Sequence, residues 1–317
     1  MDEFFKIGHY KDLKNVTGCT VILCPPKTMA SCYICGSSPG SREIALLAPE
    51  RKIESIHALF LTGGSAFGLN ATAGVVQYLE EKNIGYDTSF VKVPLVPAAV
   101  IYDMNVGSNT IRPSAENAYQ ACKNADEDFS EQGSIGAGTG ATVGKWKGLT
   151  AAMKGGLGVS EIKSGDAWVR AISVVNSVGD IVDEYSRIIA GAHDEKGKFI
   201  AQEERSIRWG KPQVGFAENT VLSALLTNVI ISKVDAYNLA RRAQNGLARA
   251  INPANTSYDG DIIFALSHGE VELAFDILCE MAAEAIHKSI VSGARKARSL
   301  GGVPSILEVS ELKNKRN

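Results

Sequence analysis

The stretch Phe216-Ala217-Glu218-Asn219-Thr220-Val221-Leu222-Ser223-Ala224-Leu225-Leu226-Thr227-Asn228 constrains this chain most. A polar, turn-rich segment, Asp194–Gly215, leads into it and reads as an exposed connector. The polar pair Asn219-Thr220 then opens an apolar, strand-like run, Val221–Asn228. A helix follows. Ser232 and Asp235 form a capping box, and Ala236, Ala240, Ala243, Leu247 and Ile251 line one face before Asn252-Pro253 ends it. Any fold of this chain must therefore start an apolar strand just after Asn219-Thr220, directly out of a polar loop.

Upstream, Thr20–Cys24 reads as a buried strand closed by Pro25-Pro26, and Ser38-Pro39-Gly40-Ser41 as a turn. His57–Thr62 is a strand entering Gly63-Gly64. After Gly68 the period changes: Leu69, Ala73, Val76, Tyr78 and Leu79 suit a helix ending near Glu80-Glu81-Lys82. Ser65, at this strand-to-helix turn, is expected to cap that helix. Val96–Tyr102 is a further strand and Ser114–Ala125 a helix. A glycine-rich stretch from Gly133 to Gly158 leads to Trp168–Val175, which alternates and runs into Asn176. Asp259-Gly260-Asp261 precedes a short strand, Ile262–Ser267, and a last helix spans about Val271–Ser299. The sum is a mixed α/β chain with no internal repeat and no clean βαβ rhythm toward its C-terminus.

Composition narrows the function classes. The 317 residues suffice for one large domain or two small ones, and 45% apolar with 21% charged residues fits a soluble globular protein. A net charge of −2 gives no electrostatic case for nucleic acid. The basic run Lys313-Asn314-Lys315-Arg316 reads as a solvated terminus. The start, Met1-Asp2-Glu3-Phe4-Phe5-Lys6, lacks the apolar core of a secretory signal, and no apolar stretch approaches bilayer length. A cytoplasmic location without membrane or nucleic-acid partners is the expectation. Cys32-Tyr-Ile-Cys35 has no second CxxC to complete a zinc site, so the six cysteines read as mostly buried thiols in a reducing compartment.

Several motifs fail on their own requirements. In Gly140-Ala-Thr-Val-Gly144-Lys145-Trp146 the glycine spacing is one short of a phosphate loop, and Trp146 stands where a metal-binding hydroxyl belongs. Gly136-Ala-Gly138-Thr-Gly140-Ala141 has no clear preceding strand for a dinucleotide fold. Phe67 breaks the spacing that would make Ser65 a nucleophile on a strand–helix elbow. The histidines His9, His57, His193, His268 and His287 show no zinc spacing. A chain without an obvious histidine base needs another base. Cleavage between Asn219 and Thr220 would supply one: Thr220 would carry both a hydroxyl nucleophile and an α-amine with a reference pKa of about 7.7–8.0.

Four motifs occur in order: Leu61-Thr62-Gly63-Gly64-Ser65-Ala66-Phe67-Gly68-Leu69, Val96-Pro97-Ala98-Ala99-Val100-Ile101-Tyr102-Asp103, Gly136-Ala137-Gly138-Thr139-Gly140-Ala141 and Asp259-Gly260-Asp261. Together they resemble the L-aminopeptidase/D-esterase family, which includes β-aminopeptidases and nylon-oligomer hydrolases. The similarity runs from Thr17-Gly18-Cys19-Thr20 to the last helix. It implies an αββα sandwich similar to N-terminal nucleophile hydrolases but with its own connectivity. It also implies a single domain over 1–317 that cuts itself into 1–219 and 220–317. The sequence Asn219–Asn228 is closer to the threonine-type nylon-oligomer hydrolases than to the serine-type aminopeptidases.

The resemblance further implies roles. Thr220 matches the nucleophile, Lys145 a lysine beside it, Asn176 an oxyanion-hole asparagine, Tyr102 a tyrosine lining the site, and Asp259 and Asp261 acidic residues near the nucleophile. Each has a plainer reading: a surface lysine in a glycine loop, a turn asparagine, a strand-capping tyrosine, an ordinary Asp-Gly-Asp turn. Glu218, Val221 and Asn255 depart from the family pattern, where Gly, a second Thr and a preceding His are usual. The implied enzyme is a cofactor-free amide hydrolase, with no metal. Its substrates are short peptides with a free N-terminus or linear ω-amino acid oligomers, and it assembles as a homo-oligomer of α/β protomers. The alternatives are an acyltransferase of the ornithine-acetyltransferase type, whose Ala-Thr-Met cleavage motif Glu218-Asn219-Thr220 lacks, and a non-cleaving binding protein of the same fold.

Overall fold

The computed structural model describes residues 4–127, 130–200 and 219–314. Residues 201–215 of the connector, Glu218, and the terminal Lys315 and Arg316 lie outside the described residues. The main strands are β1 (Lys6–Asp12), β2 (Thr17–Leu23), β3 (Met29–Ile34), β4 (Ser41–Arg42), β5 (Ala58–Thr62), β6 (Ala98–Val100), β7 (Leu157–Ser164), β8 (Ala167–Asn176), β9 (Thr220–Val229) and β10 (Ile262–Val271). The main helices are α1 (Thr72–Glu81), α2 (Ala115–Lys123), α3 (Lys233–Ala250), α4 (Phe275–Lys296) and α5 (Ile306–Asn314). They build two five-stranded sheets, ordered β1-β2-β5-β6-β4 and β7-β8-β9-β10-β3.

The two-residue period of the strands sets the layers. Along β9, Leu222, Ala224 and Leu226 face a core shared with Ile22, Leu59, Leu61 and Ala99 of the other sheet. The intervening Val221, Leu225 and Val229 pack on Leu239 and Leu247 of α3 and on Leu278 and Ile286 of α4. The strand is therefore apolar on both faces because both are covered. On the outer face of the first sheet, Val21, Phe60 and Ala98 meet Val75 and Leu79 of α1 and Ala118 and Cys122 of α2. The layers run helix, sheet, sheet, helix, which is the αββα sandwich expected from the motifs. Phe264 of β10 is fully buried between the sheets. Phe264→Ala is expected to lower the unfolding free energy by about 3–5 kcal/mol. The check is urea denaturation, with a lower midpoint and an unchanged m-value.

Helix boundaries follow local chemistry closely where caps are strong. Ser114 and Asn117 close a capping box on α2, and Ser232 with Asp235 does the same for α3. Three expectations need correction. First, Ser65 is not a cap. Gly64 holds that position with φ 83°, and Ser65 itself has φ 53°. The turn is fixed from outside, with Asp103 Oδ1 taking the Gly64 N–H and the Ile101 carbonyl taking the Ser65 N–H. Second, the last long helix begins at Phe275, not Val271. Strand β10 continues to Val271, whose carbonyl accepts the Ile230 N–H. Third, βαβ units do occur. β5 pairs parallel with β6, and β9 with β10 across α3. The long loop before β10 hides this rhythm, and parallel pairing depends on strands distant in sequence.

Cys32 and Cys35 are free, as are the other four cysteines. Cys32 enters the core between the sheets, whereas Cys35 packs toward the helix layer on the opposite face. Burial raises both thiols, Cys32 to about 12. A CxxC split across a sheet in this way does not act as a dithiol pair.

Candidate active site

Strand register assembles the site. Antiparallel pairing of β8 with β9 sets Asn176 opposite Thr220. Parallel pairing of β9 with β10 brings the entry of β10 to the start of β9, where Asn219 bridges Asp259. Residues 44 and 39 positions from Thr220 in the chain thereby become its neighbours.

The Asn219–Thr220 bond sits in a tight cradle. Thr220 is only 6% exposed and Asn219 2%. The Thr220 hydroxyl donates to the Asn219 carbonyl oxygen at 2.6 Å, and the Gly260 N–H donates to the same oxygen at 2.7 Å. The Gly260 turn is itself pinned. Ser37 and Ser38 N–H groups donate to the Asp259 carbonyl at 2.7 and 3.1 Å, and Cys35 and Gly36 N–H groups to the Asp261 carbonyl at 2.8 and 3.1 Å. A Cβ at Gly260 would stand 2.8 Å from Thr220 Oγ1 and against the Ser38 carbonyl oxygen. Glycine is therefore required for this approach.

Lys145 is buried, 4% exposed, and not on the surface. Gly144, with φ 70°, turns the chain into a short 3₁₀ turn, Lys145–Lys147. The Trp146 indole anchors that turn on Asp180 Oδ1 at 3.0 Å. Lys145 Nζ donates to Asn176 Oδ1 at 2.8 Å and to the Asn176 carbonyl at 3.3 Å. Asn176 Oδ1 also accepts the Thr142 N–H at 3.0 Å, and Asn176 Nδ2 donates to the Tyr102 carbonyl at 3.2 Å. These bonds fix which end of the amide is nitrogen. Tyr102 thus meets the cluster through its backbone.

Both aspartates serve the backbone around the bond. Asp261 Oδ1 accepts the Val221 N–H at 2.7 Å. Asp259 Oδ2 accepts the Thr256 N–H and hydroxyl at 2.8 and 2.7 Å. Burial pushes both carboxyls above the ordinary aspartate range, Asp261 further because Asp259 lies beside it, while the Lys145 charge pulls both down. A raised carboxyl stabilises the fold fully below the ordinary aspartate pKa of about 4, and that stability is lost as pH rises through the folded value. In a Thr220→Ala background, Asp261→Asn is therefore expected to gain thermal stability relative to its parent as pH increases from 4 to 8. A difference independent of pH would count against the assignment.

The structure brings together all six residues singled out in the sequence: Thr220, Lys145, Asn176, Tyr102, Asp259 and Asp261. The histidines make their contacts elsewhere. His9 bonds Thr20 Oγ1, His57 accepts the Leu95 N–H, and His268 packs between Phe5 and Trp168. Sequence reasoning missed Thr142, Thr256 and the Gly260 amide. Gly260 lay inside a recognised motif, but a backbone N–H has no sequence signature. Thr142 and Thr256 show only as ordinary polar residues beside a glycine turn and a loop.

Comparison with known proteins agrees with this architecture. The sequence profile of peptidase family S58 matches residues 5–305. An uncharacterized aminopeptidase of Mycobacterium leprae (strain TN) is 37% identical over 294 residues, 84% of this chain and 77% of that protein. A 6-aminohexanoate-oligomer endohydrolase of Kocuria sp. (strain KY2) is 33% identical over 223 residues, 68% of this chain and 62% of that protein. An L-aminopeptidase D-Ala-esterase/amidase of Ochrobactrum anthropi, a variant of the Ntn hydrolase fold, superposes with a TM-score of 0.74 at 17% identity, covering 100% of this chain and 93% of that one. A β-aminopeptidase of Burkholderia sp. superposes with a TM-score of 0.71 at 16% identity, covering 98% and 92%. The structural likenesses carry the fold, and the sequence match carries the family. The chain belongs to peptidase family S58, the L-aminopeptidase and β-aminopeptidase family that its ordered motifs resemble, and its class of reaction is amide-bond hydrolysis.

Proposed function

We propose that this chain cuts itself between Asn219 and Thr220, and that the freed Thr220 is the nucleophile of an amide hydrolase. The observation that carries the reading is the paired contact on one carbonyl: the Thr220 hydroxyl and the Gly260 N–H both on the Asn219 oxygen. In the first stage Thr220 Oγ attacks the Asn219 carbonyl carbon. Negative charge develops on the oxygen that Gly260 already contacts, which is where a fixed donor lowers the barrier. The C–N bond breaks, Thr220 nitrogen takes a proton, and an ester joins Asn219 to Thr220 Oγ. Water then hydrolyses the ester, leaving an Asn219 carboxylate and a free Thr220.

In the second stage the Thr220 α-amine takes the hydroxyl proton as Oγ attacks a substrate amide. Departure of Asn219 opens the space that the acyl part of the substrate enters. The Asn176 amide, held by Lys145 and Thr142, donates to the new oxyanion, and Asp259 and Asp261 balance the freed ammonium. An acyl-enzyme forms and water releases it. The substrates are short peptides with a free N-terminus or linear ω-amino acid oligomers; the second class is the one named for the Kocuria relative. The processed chains form the two subunits of one protomer, which assembles further.

Denaturing electrophoresis with intact mass analysis tests the first stage. Bands of about 23 and 10 kDa are expected, in proportion to 33.7 kDa for the whole chain. Persistent full-length protein without amidase activity would falsify the reading.

A further inference from the structure

We propose that Lys154 and Asp103 are positioning residues, a buried lysine–aspartate couple that braces the two backbone groups hydrogen-bonded to the Asn176 amide, the Thr142 N–H and the Tyr102 carbonyl. The inference rests on the reading of Asn176 given above and extends it to a layer behind the site.

Lys154 is fully buried, one of the largest side chains with no exposure. Its Nζ donates to the Thr139 carbonyl at 2.9 Å and to the Ala141 carbonyl at 2.6 Å. These carbonyls flank Gly140 in the glycine-rich loop. Lys154 is also the cross-strand partner of Thr142 in a two-stranded ribbon, and the Gly155 N–H donates to the Ala141 carbonyl at 3.0 Å. The next peptide nitrogen, that of Thr142, is the one that donates to Asn176 Oδ1. Lys154 thus fixes the loop that holds the oxygen end of the amide.

Asp103 fixes the other end. It follows Tyr102, whose carbonyl accepts the Asn176 Nδ2 hydrogen. Its own carboxylate takes the Gly64 N–H at 2.7 Å on Oδ1 and the Thr17 hydroxyl at 2.8 Å on Oδ2. The two braces meet at Gly140: a Cβ there would stand 2.6 Å from Asp103 Oδ2, so the carboxylate lies against the loop that Lys154 grips.

Electrostatics tie the two together. Burial pulls the Lys154 ammonium down to about 7, and the Asp103 charge raises it. Burial likewise raises Asp103, while Gly64, Thr17 and Lys154 lower it. Neither ion is supported in the interior without the other and its hydrogen bonds. Such a couple is costly for stability alone, and it does not touch the bond at Thr220. Its geometric effect falls on the Thr142 N–H and the Tyr102 carbonyl, the two backbone groups that orient Asn176 together with Lys145.

The test compares Lys154→Met, Asp103→Asn and the double variant, each purified beside wild type and Thr220→Ala. Active sites are titrated so that kcat refers to processed, folded protein. Each single variant is expected to lower kcat by about 10- to 100-fold, the scale of a small misplacement of a reacting group. KM is expected to stay within about twofold. The double variant is expected to lose no more than the worse single, because one couple is broken once. If Lys154→Met is insoluble, Asp103→Asn, which keeps its shape and an acceptor for Gly64, carries the same expectation for kcat and KM. Unchanged kcat per active site in the soluble single variants, or losses that multiply in the double, overturns the proposal while wild-type cleavage stands. Failure of wild type itself to cleave or hydrolyse points instead to the underlying reading.

Discussion

Thr220→Ala is expected to leave one 33.7-kDa chain where wild type gives two, and to abolish amide hydrolysis. Alanine keeps the backbone of β9 and removes only the hydroxyl that lies 2.6 Å from the Asn219 oxygen and the methyl beside it. Thr220 is buried at the start of a strand whose remaining residues supply the packing, so the fold is expected to persist. Loss of a nucleophile that forms the covalent intermediate costs on the order of 10⁶-fold in kcat, below detection in an ordinary assay. Thr220→Ser retains a hydroxyl at the same place and is expected to cleave. The pair separates chemistry from packing. An alanine variant that still splits after Asn219 would remove Thr220 from the mechanism, whatever else the site does.

Gly260→Ala is expected to slow self-cleavage by about 10²- to 10³-fold, the usual effect of losing one oxyanion donor. The substitution keeps the N–H but cannot keep its position. The added methyl would meet Thr220 Oγ1 at 2.8 Å and press on the Ser38 carbonyl, which belongs to backbone and cannot swing aside. Either the hydroxyl or the amide must withdraw from the Asn219 oxygen. Time courses of precursor loss from freshly translated protein measure the rate. Urea denaturation of Thr220→Ala with and without Gly260→Ala separates a stability effect from a kinetic one. A Gly260→Ala precursor that matures within twofold of the wild-type rate would show that the contact is incidental.

The two changes act on the same carbonyl oxygen, and that economy is visible only in three dimensions. From the sequence, Asn219-Thr220 can be recognised as a strand start following a polar loop, and the capping box at Ser232 fixes one helix start. Both depend on residues within four positions of each other, which is the range over which propensity and capping operate. The Ser65 turn fails for the complementary reason. Its backbone is held by Asp103 and Ile101, nearly forty residues away. No local rule anticipates a serine at φ 53° when the groups that stabilise it are remote.

Lys145 shows the same division more sharply. In sequence it is a lysine in a glycine loop, and a solvated side chain is the ordinary outcome. In the fold, Gly144 and the Trp146–Asp180 hydrogen bond turn it inward onto Asn176. The motif identified the residue, and tertiary packing made it a buried cation.

The sequence by itself determined many of the core strands and helices, the family, the reaction class and the six residues gathered around the Asn219–Thr220 bond. It could do so because alternation, capping and ordered motifs are written in residue identity. Only the tertiary structure decided that Asn176 lies opposite Thr220, that Gly260 presents its amide to the Asn219 oxygen, and that Lys154 and Asp103 stand behind them. Those relations follow from strand register and from backbone groups that every residue shares, and such groups acquire a role only when the fold brings distant segments together.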